Sequence, residues 1–168
     1  MTHLLVSQLR FARAEFLRGL EGVTPEEALR RFRPMNSIGW TIGHLANQEH
    51  RYWVLFAQGR DVAPGLNSLV GFGKPASTPP LDAMWQAWRA ATGAADPYLD
   101  TLTPALLQTH LLRDGKPVDD NVGALILRNI YHYWYHLGEA LAVRQLLGHR
   151  ELPQFVGDMA AAQYSPEG

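Results

Sequence analysis

The sequence predicts an all-α protein, an up-down four-helix bundle with a long crossover loop and short extra helices. Four long segments carry apolar residues at helical spacing, and capping residues, glycines or prolines bound each of them. No segment alternates clearly between apolar and polar residues, as a half-buried strand does. We therefore expect helices that bury their apolar faces against other helices.

The first helix is predicted over about residues 2–20, and its polar residues include Arg10, Arg13 and Glu15, which lie off the apolar stripe. The apolar stripe consists of Leu5, Leu9, Ala12, Phe16 and Leu20. A second, short helix follows, because Thr24 and Glu27 form a capping box with a proline between them. It ends before Pro34, since the residue that precedes a proline avoids helical geometry.

The second long helix is predicted to begin after Asn36 or Ser37 and to end at about Gln58, before Gly59. The next segment, residues 60–77, is rich in glycine, proline, asparagine and serine. A long irregular connection in a small domain is typical of a lid over a site or of a mobile segment. We expect it to cover the open position of any site beneath it.

The third long helix is predicted from Thr78-Pro79 to about Leu102, followed by a brief turn at Thr103-Pro104 and a tight turn at Asp114-Gly115. The last helix begins after Asn121 and ends at Gly148, which makes it about 39 Å long. We predict a single domain over residues 1–168, with its core at about 2–148 and a C-terminal strap at 149–168.

Composition restricts the classes of partner. The 168 residues include 15 Lys and Arg and 16 Asp and Glu, for a net charge of −1, and no run of basic residues is present. We therefore expect no nucleic-acid partner and no membrane partner. Cysteine is absent, which excludes thiolate ligands and cysteine nucleophiles, and which fits a reducing cytoplasm.

Two histidines of the last helix stand at metal-ligand spacing. His132 and His136 are one helical turn apart, and Arg128, Tyr135 and Glu139 fall close to the same line. The rest of this helix is apolar, which is typical of a buried helix with one polar stripe. Two imidazoles so placed can bind one ion, although a solvated or hydrogen-bonded pair has the same spacing.

The second long helix offers a third imidazole, that of His44, with Asn47, Gln48 and Arg51 on its face. Three neutral imidazoles and one open position are typical of catalytic metal sites. Nitrogen donors without cysteine suit Zn²⁺ or Ni²⁺ first, and Fe²⁺ or Mn²⁺ also. His50 lies about 120° away from His44 on the helix. We assign the remaining histidines to the surface, namely His3, His50, His110 and His149.

The neighbouring side chains have two interpretations each. Glu139 is either a surface carboxylate paired with Arg144 or a group that orients a ligand and transfers protons, and Arg128 has the same two interpretations. Gln48 is a further candidate for orienting a ligand.

We expect Gly138 to allow a close approach of helices. The aromatic residues expected in the core are Trp40, Trp53, Tyr131 and Trp134.

Two blocks, NSIGWTIGHLANQEHRYW and NVGALILRNIYHYWYHLGEALAVRQLLGHRELPQFVG, together resemble the DinB-like superfamily. The resemblance covers the chain from about Thr24 to Gly157, and its specific part is a helical histidine combined with a distant H-x-x-x-H. It implies an up-down four-helix bundle that binds a divalent metal through His44, His132 and His136. Relatives include transferases and isomerases that use bacillithiol, mycothiol or glutathione.

These observations favour a metal-dependent transferase that joins a low-molecular-weight thiol to a small-molecule substrate. Glu139, Gln48 and Arg128 are the candidates for proton transfer or ligand orientation, and Arg51, Arg60 or Arg128 could receive the carboxylates of a peptide-like thiol. A metal-dependent hydrolase and a non-catalytic, stress-associated metal-binding protein are the alternatives, as is a bundle without metal. We also expect a homodimer, because charge is low and tryptophan is abundant.

Overall fold

Helices form most of the chain in the computed structural model, which describes residues 2–154 and 156–164. Position 155 and positions 165–168 of the predicted strap lie outside the described residues. The α-helices are α1 (Leu4–Leu20), α2 (Pro25–Leu29), α3 (Ile38–Glu49), α4 (Leu66–Val70), α5 (Leu81–Leu99) and α6 (Val122–Leu146). The predominantly helical class is therefore confirmed.

Short elements modify the predicted pattern at two places. Strands β1 (Leu112–Arg113) and β2 (Lys116–Pro117) pair antiparallel around Asp114-Gly115, where we predicted a turn without strands. The connection at residues 60–77 is not wholly irregular, because it contains α4. Both differences concern elements of two to five residues, which are too short to show periodicity in a sequence.

The predicted helix caps are confirmed. The hydroxyl of Ser37 accepts from Trp40 N at 3.2 Å, and the side chain of Asn121 accepts from Ala124 N at 2.8 Å. Thr24 and Glu27 form both bonds of the capping box. Capping is local chemistry, since each bond joins residues three positions apart, so the sequence is sufficient to place these helix starts.

The second long helix changes geometry part-way. After α3, residues His50–Phe56 form a π-helical segment, and helical backbone continues to Gln58 as predicted. Gly59 then takes a positive φ of 66°, which glycine adopts without steric cost. π-Helical segments are rare and are frequently found near functional sites.

The four long helices pack in pairs. α1 packs along α6, α3 packs along α5, and α3 also contacts α6 and α4. Large buried side chains between them include Leu9, Phe16, Ile42, Leu45, Trp53, Leu99, Ile126 and Tyr133. The contact of α3 with α6 is the one that positions the histidines described below. An up-down bundle with a long crossover remains our interpretation of this packing.

A buried ion pair crosses the interior. Arg13 of α1 donates two bonds of 2.7 Å to the carboxylate of Glu49 in α3, whose side chain is fully buried. Tyr133 of α6 donates to the same carboxylate at 3.0 Å, and Trp88 of α5 donates to the Tyr133 hydroxyl at 2.8 Å. Arg13 and Glu15 are therefore buried polar residues, although the helical pattern predicted them outside the apolar stripe.

Close helix approach occurs at other glycines than the predicted one. A Cβ on Gly138 would meet nothing within 4 Å, so the prediction for this residue is wrong. A Cβ on Gly39 would lie 2.5 Å from the carbonyl oxygen of Pro79 and 3.3 Å from that of Ala28. Gly39 thus lets α3 approach two backbone segments near its first turn.

The described part of the strap lies on α1. Gly157 N donates to Glu15 Oε2 at 2.9 Å, and Gln8 Nε2 donates to the carbonyl oxygen of Ala162 at 2.7 Å. Within the described residues, no helix is both long enough and apolar enough to cross a membrane.

Candidate metal centre

Three histidines from two helices converge. His44 of α3 and His132 and His136 of α6 each place one ring nitrogen within 4.8 Å of the others. The Nε2 atoms of His132 and His136 are 2.9 Å apart, and the His44 ring stands nearly perpendicular to both other rings. The structure therefore brings together the three residues that the sequence proposed as metal ligands.

Each imidazole is held through its Nδ1 atom. His44 Nδ1 lies 2.7 Å from the carbonyl oxygen of Val70, and His136 Nδ1 lies 2.6 Å from Glu139 Oε2. His132 Nδ1 lies 2.8 Å from Gln48 Oε1. All three partners are acceptors, so Nδ1 carries the proton in each ring and Nε2 keeps a lone pair for a cation. Metal-binding histidines are typically supported in this way.

A chain of hydrogen bonds explains the orientation of Gln48. The indole N–H of Trp53 donates to Asn129 Oδ1 at 2.7 Å, and Asn129 Nδ2 donates to Gln48 Oε1 at 2.8 Å. An indole can only donate, so Asn129 must turn its oxygen to Trp53 and its amide nitrogen to Gln48. Gln48 then presents its oxygen to His132, which must donate from Nδ1.

The electrostatics of the site favour neutral rings. Burial, with the neighbouring imidazoles, lowers the pKa of His132 to about 3 and that of His136 to about 3. Burial also lowers the pKa of His44, and the positive charge of Arg51 acts in the same direction. Neutral imidazole is the form that binds metals.

The donor set fits a divalent cation. The lone pairs of His132 Nε2 and His136 Nε2 face each other at 2.9 Å, and neither nitrogen has a proton to share once both Nδ1 atoms are protonated. A bound cation would relieve this repulsion. An ion held by three histidine nitrogens would still accept an external ligand, as catalytic zinc sites do.

A cavity of about 410 Å³ opens in front of the imidazoles. Its walls come from α3, the π-helical segment, the segment after α4, and α6. Its lining residues are His44, Asn47, Gln48, Arg51, Tyr52, Phe72, Arg128, Tyr131, His132 and Tyr135. A small molecule can therefore reach His44 and His132 from solvent, which a closed structural metal site does not allow.

Comparison with protein families places the chain in a known group. The family model described as the DinB superfamily matches residues 8–140, a range that contains all three histidines. The chain belongs to the DinB superfamily. No curated protein sequence matches it. The matched range begins at residue 8 and so includes most of α1, whereas the resemblance that we based on two sequence blocks begins at about Thr24.

In this DinB-superfamily protein, the other predicted site residues are Gln48, Glu139 and Arg128, and they differ in what they contact. Gln48 and Glu139 contact the imidazoles directly. Arg128 instead lines the cavity wall, where its largely exposed guanidinium pairs with Asp120 at 2.8 Å. Arg144 does not pair with Glu139, because its guanidinium donates to the carbonyl oxygen of Gly19 and to His149 Nδ1.

Three contributors to the DinB-superfamily site were missed in the sequence. Val70 belongs to the connection that we expected to cover the site, but it acts through its backbone oxygen, which no side-chain pattern indicates. Trp53 was assigned to the core and is buried there, yet it also donates to Asn129. Asn129 could have been noticed, since a polar residue inside an apolar helix requires buried partners.

Two other expectations are wrong. His50 is 5% exposed, not a surface residue, and its Nε2 lies 3.0 Å from Asp61 Oδ1. Tyr131 is 63% exposed and lines the cavity, although its aromatic ring predicted a core position. His50 is the first residue of the π-helical segment, and Tyr131 lines the cavity. Helical periodicity does not indicate burial at either place.

Proposed function

We propose that this DinB-superfamily protein is a divalent-metal-dependent transferase that uses a low-molecular-weight thiol as its nucleophile. The observation that carries the proposal is the convergence of three histidine ring nitrogens, with His44 and His132 lining an open cavity. A structural metal site would close its fourth position with a protein ligand. Here the described residues leave room for an external one.

Zn²⁺ or Ni²⁺ is the cation we propose, with Fe²⁺ or Mn²⁺ as alternatives that nitrogen donors also accept. When bound, such an ion lowers the pKa of a thiol or water held against it and so supplies a nucleophile near neutral pH. His44, His132 and His136 would hold it. The sequence contains no cysteine, so any sulfur nucleophile must come from outside the chain.

The neighbouring residues have distinct proposed roles. Gln48 orients His132, and Glu139 orients His136 at 2.6 Å. The Glu139 carboxylate is partly exposed, so it can also pass a proton between the site and solvent. Arg128 stands at the cavity wall, where its charge can steer an anionic thiol toward the imidazoles.

Metal content tests the first part of the proposal. Protein purified without an affinity tag and incubated with Zn²⁺ is expected to hold about one equivalent by elemental analysis, and His132→Ala below about a tenth. His110→Ala is a matched control, because His110 also places Nδ1 against a carbonyl oxygen, that of Val118 at 2.9 Å, but is exposed and outside the cluster. Wild-type protein without metal would overturn every metal-based function.

Thiol transfer tests the second part. The metal-loaded protein should accelerate the reaction of monochlorobimane with at least one of glutathione, bacillithiol and mycothiol, relative to His132→Ala. The transferase proposal fails if no thiol reacts faster with the wild-type protein than with this variant. Turnover of an ester, amide or phosphoester without thiol would instead assign a metal-dependent hydrolase.

We further propose a homodimer that acts in the cytoplasm during stress. Large apolar side chains on the described surface support an interface, among them Leu17, Leu112 and Leu146. Light scattering at micromolar concentration should give twice the 18.8 kDa mass of one chain. A single species of the monomer mass would contradict the dimer.

A further inference from the structure

Two arginines give the cavity wall a positive charge, which is only partly offset by two nearby carboxylates, those of Asp120 and of Glu139, which binds His136. Arg51 and Arg128 line the cavity, and its lining within the described chain contains no Asp or Glu. Asp120 partly neutralises Arg128 at 2.8 Å. Asp61 lines an adjoining cavity together with Arg51 but pairs with His50. A bound divalent cation would add further positive charge to the same space.

Of the two arginines that line the cavity, Arg51 is the one with hydrogen-bond donors available for a bound carboxylate. In the described part of the chain, no carboxylate oxygen lies within 4.0 Å of its guanidinium, which rests 5.6 Å from the centroid of the Phe56 ring. An arginine held over a ring keeps its hydrogen-bond donors free at the edge. A planar guanidinium binds a carboxylate through two parallel bonds, so this arrangement is a ready carboxylate receptor.

The rim of the cavity is aromatic and exposed. Phe72 is 92% exposed, and Tyr131 and Tyr135 are each more than 60% exposed, although all three line the same cavity. Aromatic rings exposed around a cavity offer flat surfaces to an apolar ligand group. Phe72 lies just after α4, whose last residue, Val70, binds His44.

We propose that the organic substrate of this cavity is a small carboxylate-bearing molecule with a flat apolar group. Arg51 binds its carboxylate, and Phe72, Tyr131 and Tyr135 pack against its apolar part. The inference rests on the proposed function, since it names the class of substrate that would meet the thiol at this site. Binding alone tests it, without turnover.

Calorimetric titration with 3-phenylpropionate and its neutral analogue 3-phenylpropionamide provides the test, with and without one equivalent of Zn²⁺. The anion is expected to bind about tenfold more tightly than the amide, since hydrogen bonds to charged groups contribute that much. Arg51→Gln should remove this preference, because it weakens binding of the anion more than binding of the amide, and Arg51→Lys should retain part of it.

Arg30→Gln is the matched control. Arg30 also rests over an aromatic ring, with its guanidinium carbon 5.6 Å from the centroid of Phe32, but it lies outside the cavity. This variant removes the same charge and the same kind of contact, so it should keep the full preference for the anion.

Three results would overturn the substrate class: equal affinity for the two ligands, a preference that persists in Arg51→Gln, or no binding of either ligand. A persisting preference would mean that the metal or another cation receives the carboxylate. Thiolate absorption bands in the Co²⁺-loaded protein, with 2-mercaptoethanol as the probe, test the transferase separately. Failure of one measurement therefore does not imply failure of the other.

Discussion

The indole N–H of Trp53 donates to Asn129 Oδ1 at 2.7 Å, and this bond decides which nitrogen of His132 carries the proton. The two residues are 76 positions apart in the chain and belong to different helices. The next two hydrogen bonds, from Asn129 to Gln48 and from His132 to Gln48, can each run in only one direction. The indole N–H of Trp53 in the core therefore determines that the proton of His132, a candidate metal ligand, sits on Nδ1. Positioning of this kind is found around many metal sites.

Removing that N–H while keeping an aromatic ring should weaken metal binding. Trp53→Phe is expected to lower zinc affinity by about tenfold, because Asn129 and Gln48 can then reverse their amides. Competition with a chromophoric chelator measures the affinity. Trp88→Phe is the control, since it removes an indole N–H that donates to Tyr133, outside the site. Equal affinities for the two variants would contradict the role of Trp53.

The buried ion pair should be costly to break. Glu49→Gln leaves Arg13 without its bidentate partner, and we expect the free energy of unfolding to fall by about 3 kcal/mol. The loss is not larger because Arg13 still pairs with Asp96. Asp120→Asn breaks the exposed pair with Arg128 and should cost less than about 1 kcal/mol. Urea denaturation measures both, and similar losses would show that burial does not distinguish the pairs.

Two alanine substitutions in helices should have opposite signs. Gly39→Ala should lower the melting temperature, because its Cβ would lie 2.5 Å from a backbone oxygen that no side-chain rotation can move. Gly138→Ala meets nothing within 4 Å and should stabilise the protein by up to about 1 kcal/mol through helix propensity. Calorimetric melting curves provide the measurement. A raised melting temperature for Gly39→Ala would contradict the close approach.

The stability of the metal-free protein should depend on pH. The pKa of His132 and that of His136 are both about 3 in the folded protein, below the ordinary value of 6.5, through burial and neighbouring imidazoles. Below pH 6.5 the unfolded chain therefore binds protons that the folded chain does not. The free energy of unfolding should fall as pH decreases from 6.5 toward 3, by at most about 1.4 kcal/mol per pH unit for each imidazole.

Denaturation at pH 7, 6 and 5 measures this dependence. A His132→Gln/His136→Gln double variant removes both groups and should show a clearly smaller loss over the same interval. His110→Gln, which changes an exposed histidine, should follow the wild-type protein. The explanation would be wrong if the double variant lost as much stability on acidification as the wild-type protein.

The sequence by itself determined the four long helices, three of the helix caps and the candidate ligands. Thr24, Ser37 and Asn121 cap residues three positions away, and His132 and His136 are neighbours on one helix. These relationships span a single helical turn, so they follow from backbone geometry alone. Gly59 and Gly148 similarly indicated the ends of two long helices, whereas the third ends at Leu99, before the predicted Leu102.

Only the tertiary structure decided what supports those ligands and what they face. Val70 lies 26 positions from His44, Glu49 lies 36 positions from Arg13, and Asn129 lies 81 positions from Gln48. Side chains this far apart meet only when particular helix faces pack together, and periodicity does not say which faces meet. The same packing buried His50, exposed Tyr131 at the cavity, and placed Arg51, which has no carboxylate partner among the described residues, beside the imidazoles.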